Sequence, residues 1–166
     1  MPAKSVALIF DDGYGDNYTN AFPILQKYQM RATFFIITGA LGEPGYMADS
    51  QIRALSESGM EIQSHTVHHV SLGKINAGLT AKETADSKKT LEQILGKPCL
   101  FLAYPSGSFN TTVENNLKKQ GYLLAVTTEY GDTQKSAKPF ELMRIRVMKR
   151  TSLKSLLSRI ADPKTR

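Results

Sequence analysis

Ser5-Val6-Ala7-Leu8-Ile9-Phe10-Asp11-Asp12-Gly13 is the stretch that decides how this chain folds. Residues 6–10 are apolar at every position, so both faces of the strand they predict are covered. Strands of that kind lie inside a parallel sheet with helices packed over it. The same texture returns along the chain, and strands are predicted at 5–11, 32–38, 61–64, 100–104, 123–127 and 143–147. Between them run segments of helical period. Thr80-Ala81-Lys82-Glu83 reads as a capping box opening a helix to Leu95, with Gly96 as its stop, and Thr111-Thr112-Val113-Glu114 repeats the pattern. Asp49 or Ser50 caps a helix carrying Ile52 and Leu55, and Gly59 ends it. A first helix is expected over 17–28, with Pro23 bending it or delaying its start. Leu153, Leu156, Leu157 and Ile160 mark one apolar helical face at the end of the chain. A β-α order repeated about six times predicts an α/β fold with a parallel sheet, either a barrel or an open doubly wound sheet.

In both architectures reactive residues gather at the carboxyl ends of the strands. Three predicted strands end on chemically distinctive residues: Asp11-Asp12-Gly13, His65, and Tyr104-Pro105-Ser106-Gly107. The three histidines of the chain all fall within His65-Thr66-Val67-His68-His69. His65 and His69 have the i, i+4 spacing that brings two imidazoles to one ion. Such an ion needs a third ligand, often a carboxylate, and an open position for water. Thr66 stands where a zinc protease would carry its Glu, so that motif is excluded. Gly13 stands where a calcium loop would carry its third carboxylate, which excludes an EF-hand. Successive side chains at a strand end diverge. One of the paired Asp residues can therefore bind a metal while the other takes the proton of an attacking water.

Composition sets the outer limits. The 166 residues fit one domain, 1–166, with a strand so close to residue one that an N-terminal region is expected to be trimmed or missing. Hydrophobic residues make up 41% and charged residues 22%, ordinary for a globular domain. No apolar run approaches the ~20 residues of a membrane span, and no export signal is visible. The net charge of +6 is carried by scattered Lys and Arg on a solvated surface, without the basic runs and interleaved aromatics of a nucleic-acid binder. Cys99 is the one cysteine, which excludes an internal disulfide and a cysteine metal site; its apolar neighbours predict a buried thiol.

The segments Ile9-Phe10-Asp11-Asp12-Gly13, Ala32-Thr33-Phe34-Phe35, Gly59-Met60-Glu61-Ile62, Ser64-His65-Thr66-Val67-His68-His69 and Ala103-Tyr104-Pro105-Ser106-Gly107 resemble, in order over roughly 5–147, the polysaccharide deacetylases of carbohydrate esterase family four. The resemblance implies a distorted, incomplete (β/α) barrel of about six to seven parallel strands. It implies that Asp12, His65 and His69 hold a divalent metal, zinc most commonly and cobalt or nickel as substitutes. Asp11 would be the catalytic base, and the backbone N–H of Ser106 would stabilise the oxyanion. Tyr104, Pro105, Gly107 and Arg144 would face substrate, whereas His68 falls at a variable position. The implied reaction is hydrolysis of N-acetyl groups on an N-acetylglucosamine-containing glycan, at the cell envelope or outside the cell. Ala103 replaces the arginine with which most relatives open the third motif, and the Ala-Tyr-Pro-x-Gly form resembles the poly-β-1,6-N-acetylglucosamine branch. Arg144 or Arg146, expected on one face of a strand, could restore that charge. No histidine follows His69 to match the usual Leu-x-His proton donor. A non-catalytic glycan-binding relative and an amidohydrolase acting on a small molecule are the alternatives. Oligomeric state is not encoded in these motifs.

Overall fold

The computed structural model describes residues 5–131 and 138–161. The strands are β1 (Leu8–Phe10), β2 (Ala32–Ile36), β3 (Glu61–Ser64), β4 (Phe101–Ala103), β5 (Leu124–Tyr130) and β6 (Leu142–Arg144). All neighbours pair in parallel, in the order β1-β2-β3-β4-β5-β6. An order that never doubles back has no switch point, which removes the doubly wound alternative. The sheet curls into a half-barrel, and Arg144 at the end of the last strand reaches Asp11 just past the first. Four strands are shorter than the sequence predicts, because the apolar runs continue past the last ladder hydrogen bond, whereas β3 matches its predicted range and β5 runs on to Tyr130. The final one stops at Arg144, leaving Arg146 outside the strand.

Each strand alternates between two cores. Leu8, Phe10, Phe34, Ile36, Ile62, Leu102, Tyr104 and Ala125 face the helices and form the larger one. Ile9, Phe35, Phe101, Ala103, Leu124, Val126 and Leu142 face inward and fill the barrel. This period of two carries the inward row from Ile9 to Asp11, from Gln63 to His65 and from Leu142 to Arg144. The β3–β4 ladder is a single register pair, Ser64 with Leu102. Buried Gln63 supplements it, its Oε1 accepting from the N–H groups of Leu100 and Phe101 at 2.8 and 2.7 Å.

The helices are α1 (Phe22–Lys27), α2 (Asp49–Glu57), α3 (Ala77–Leu95), α4 (Thr111–Lys119) and α5 (Leu153–Ala161). Pro23 delays the first as expected: a π-helical turn over Asn17–Ala21 precedes α1, and Pro23 sits in the first turn, where its missing N–H costs nothing. Three caps differ from the sequence reading: Ala48, not Asp49 or Ser50, is the N-cap of α2, its N–H donating to the Gln51 side-chain oxygen at 2.9 Å. Asn76, not Thr80, caps α3 by accepting from the Leu79 N–H at 2.9 Å, and Asn110, not Thr111, caps α4 by accepting from the Val113 N–H at 3.0 Å. Thr80 is buried inside α3, its hydroxyl donating to the Leu72 carbonyl. Gly96 ends α3 in the left-handed conformation, as predicted. The apolar face of α5 remains exposed at Leu153, Leu157 and Ile160. No helix among the described residues is long and apolar enough to cross a membrane.

Candidate active site

Among the described residues, four of the five non-glycine residues with positive φ lie at the carboxyl rim of the sheet: Asp12 (73°), Thr66 (68°), His69 (55°) and Ser106 (56°). Each such conformation costs about 1–3 kcal/mol and persists where its surroundings enforce it. Here the enforcement can be traced. The loop after β3 is laid across the end of β2, with the Thr38 N–H donating to the Thr66 carbonyl at 3.1 Å and the Gly39 N–H to the Val67 carbonyl at 2.9 Å. A Cβ on Gly39 would stand 2.7 Å from that Val67 oxygen, so only glycine permits the approach. Within the loop the His69 N–H donates to the Thr66 hydroxyl at 3.0 Å, a further bond that fixes the backbone at His69.

From below, α3 supplies two buried polar side chains one turn apart. The hydroxyls of Ser87 and Ser64 meet at 2.8 Å, and Ser64 also accepts from the Thr66 N–H. Glu83, 4% exposed, is the residue that sequence reasoning missed. One of its oxygens accepts from the N–H groups of Val67 and His68 at 3.1 and 2.9 Å, and the other from the His68 ring at 2.7 Å. His68 is therefore turned away from the other histidines, as its variable position implied. Glu83 was legible only as half of a capping box; no linear motif connects it to the histidines 14 to 18 positions earlier.

Three side chains converge. Asp12 Oδ1 lies 3.3 Å from His65 Nε2 and 3.4 Å from His69 Nε2. The imidazoles meet edge to face, with centroids 4.8 Å apart. His65 Nδ1 is 2.8 Å from the Ala103 carbonyl, which can only accept, so the proton is on Nδ1 and the Nε2 lone pair faces Asp12. Burial, then the neighbouring His65, holds the His69 pKa below the ordinary histidine value, favouring the neutral ring. Neutral imidazoles and a carboxylate turning lone pairs on one another repel unless a cation lies between them. Metal–ligand bonds of roughly 2.0–2.1 Å in a tetrahedral site set neighbouring donors about 3.3–3.4 Å apart. The two separations from Asp12 have that length and all three donor atoms lie within 4.8 Å of one another, so this donor set fits a divalent cation.

Asp11 stays out of this cluster. Arg144 Nη1 donates to both Asp11 oxygens at 2.8 Å, and Arg144 Nε donates to the Thr127 carbonyl at 2.7 Å. A bulge in the β5–β6 pairing, between Val126 and Tyr130, sets the register that aims this arginine. Arg144, expected against substrate, is thus engaged with Asp11. Ala103 itself faces the barrel interior. Tyr104 and Pro105 also depart from expectation. Both are buried, because the period of two turns Tyr104 toward the helices, where it stacks on Phe109 at 4.8 Å. Ser106 is exposed at the rim, and Gly107 (φ 66°) packs so close to Thr128 that a Cβ would overlap its hydroxyl.

Fold and site together define a class: partial β/α barrels with a two-histidine, two-aspartate centre on the carboxyl rim of the strands. The chain belongs to the polysaccharide deacetylase family, whose sequence pattern matches residues 1–125. It is 29% identical over 159 residues to the poly-β-1,6-N-acetyl-D-glucosamine N-deacetylase of Staphylococcus aureus (strain MSSA476), covering 87% of this chain and 55% of that enzyme. The structure of the Streptococcus pyogenes deacetylase PplD in complex with acetate superposes with a TM-score of 0.89 at 35% identity, covering 95% of this chain and 71% of that one. IcaB from Ammonifex degensii gives 0.86 at 27% identity, covering 96% and 74%. The chain spans about half the length of the curated relatives it matches.

Proposed function

We propose that this chain hydrolyses N-acetyl groups from an N-acetylglucosamine-containing polysaccharide, with a divalent cation, zinc by preference and cobalt or nickel as substitutes, held by Asp12, His65 and His69. The observation that carries the reading is the convergence of those three donors at 3.3 and 3.4 Å beside a second carboxylate held apart from them by Arg144. A cation there would polarise the acetyl carbonyl and lower the pKa of water. Asp11 takes the proton of the attacking water. Arg144 fixes the Asp11 carboxylate through both oxygens; an arginine is effectively always protonated, so it orients the base without serving as the acid. The proton that Asp11 has accepted is then the one passed to the leaving amine. The Ser106 N–H, presented at the rim by a left-handed turn, donates to the developing oxyanion. The name of the Staphylococcus aureus relative supports a β-1,6-linked polymer as substrate, which would place the work of the chain at the cell envelope or outside it.

The test is acetate release from β-1,4- and β-1,6-linked N-acetylglucosamine oligomers and peptidoglycan fragments, with added zinc or cobalt. Release by the wild type should fall about 10²–10⁴-fold in Asp11→Asn. It should fall about 10–100-fold in Arg144→Met, with metal retained in both. Absence of release from every oligomer by metal-loaded wild type would overturn the reading.

A further inference from the structure

The apolar face of α5 belongs to neither core, and the proposed chemistry makes no use of it. The helix itself is well formed. The Ser152 hydroxyl caps it by accepting from the Ser155 N–H at 3.2 Å, after a turn in which the Thr151 N–H donates to the Met148 carbonyl at 2.8 Å. Arg159 Nη1 donates to the Arg146 carbonyl at 3.3 Å and ties the helix back to the chain leaving β6. Yet Leu153 is 71% exposed, Leu157 57% and Ile160 41%, and Val147 and Met148 just before them are open as well.

Charge gathers on the same segment. Arg146, Lys149, Arg150, Lys154 and Arg159 follow one another with no acidic residue between Glu141 and Asp162. No carboxylate among the described residues pairs with any of them. The scatter of balanced charge elsewhere in the chain gives way here to a patch of one sign. At about 100° per residue, Leu153, Leu156, Leu157 and Ile160 share one stripe of α5, Lys154 borders it on one side and Arg159 on the other. Ser155 and Ser158 lie opposite the stripe.

An occupant has to satisfy both halves of this pattern. An anionic polymer would neutralise the cations and leave the leucines in water. A second copy of the chain would cover the leucines but bring Lys154 and Arg159 against their own kind. An anionic bilayer meets both demands, because apolar side chains enter the acyl boundary while lysine and arginine reach the lipid phosphates.

We infer that residues 146–160 form a docking surface for an anionic phospholipid bilayer, with α5 lying in the plane of the interface. The segment begins two residues after Arg144, which holds Asp11, so docking keeps the candidate site close to the bilayer. The inference concerns attachment, not turnover, and does not depend on acetate release.

The experiment is co-sedimentation of the full chain with phosphatidylcholine vesicles containing about 30% phosphatidylglycerol, beside vesicles of phosphatidylcholine alone. Partitioning onto the anionic vesicles should exceed that onto the neutral ones at least about tenfold. Leu153→Ala combined with Leu157→Ala, at exposed positions where alanine keeps the helix, should lower it about tenfold or more. Lys149→Gln combined with Lys154→Gln should also lower it about tenfold or more. The control pair, Ile24→Ala with Leu123→Ala, removes side chains of similar exposure (57 and 58%) elsewhere on the surface. It should leave partitioning within about twofold. Circular dichroism checks helix content in every variant. No partitioning of the wild type onto anionic vesicles would overturn the inference. So would partitioning that survives the leucine substitutions, which charge alone would explain, or an equal fall in the control pair. Self-association of the wild type that the leucine pair abolishes, without vesicle binding, would assign the face to a second copy and overturn it too.

Discussion

On the helix side of the sheet, Phe34, Ile36, Ile62 and Leu102 alternate into one continuous core. At the carboxyl rim of the same strands, Asp12, Thr66, His69 and Ser106 all hold positive φ, and three lone-pair donors face one another. The first region follows local rules: period-two burial and capped helices. The second breaks those rules repeatedly within a few ångströms. Sequences that specify a fold well depart from local consistency chiefly at functional sites. The difference therefore separates what this chain needs to fold from what it needs to react.

The comparison breaks if substitutions in the two regions have interchangeable effects. The largest stability effect should come from the core. Leu102→Ala, at a fully buried position, should cost about 2–5 kcal/mol in a denaturant titration, while activity per folded molecule holds. Equal loss of specific activity would show that the rim is not an independent layer. Glu83 sharpens the comparison, since it belongs to α3 but serves the rim. Glu83→Ala leaves the Val67 and His68 N–H groups without their acceptor, at about 1–3 kcal/mol. Zinc affinity should fall with it, about 10–100-fold, which isothermal titration would read. Loss of stability alone would return Glu83 to the core.

The smallest effect is a pH dependence confined to the core side. Burial pushes the Cys99 thiol up to about 12, against an ordinary value of about 8.5. The folded chain thus favours the protonated form. Its stabilising contribution is complete below the unfolded pKa and is lost as pH rises through the window from there to the folded value. The slope is about −1.4 kcal/mol per pH unit, so roughly that much should be gone near pH 9.5. Cys99→Ala should flatten that part of the profile. A slope unchanged by the substitution would assign the alkaline loss elsewhere, with buried Tyr122, its pKa also raised by burial, the next group to test.

The two regions were also unequally legible. Strand positions and their order followed from apolar runs, because burial on both faces leaves a compositional mark. The motif residues Asp11, Asp12, His65 and His69 were legible because they fall within five residues of the ends of β1 and β3. Three things were hidden by tertiary contact. Glu83 looked like the partner of a capping Thr80, whereas the helix begins a turn earlier at Asn76 and frees Glu83 for the histidine loop. Arg144 and Arg146 were indistinguishable until the β5–β6 bulge and the end of β6 placed the first against Asp11. Tyr104 shares a motif with exposed Ser106, but strand alternation turns it into the core. For Glu83 and Arg144 the deciding partner lies 15 and 133 positions away in sequence.

The most direct test of the central claim is zinc binding itself, measured by isothermal titration and elemental analysis on the wild type beside Asp12→Ala and His65→Ala, with folding checked by circular dichroism. The account predicts one zinc per wild-type chain and none retained by either folded variant. Wild-type stoichiometry in both variants, or no zinc in the wild type, would contradict a metal centre built from Asp12, His65 and His69.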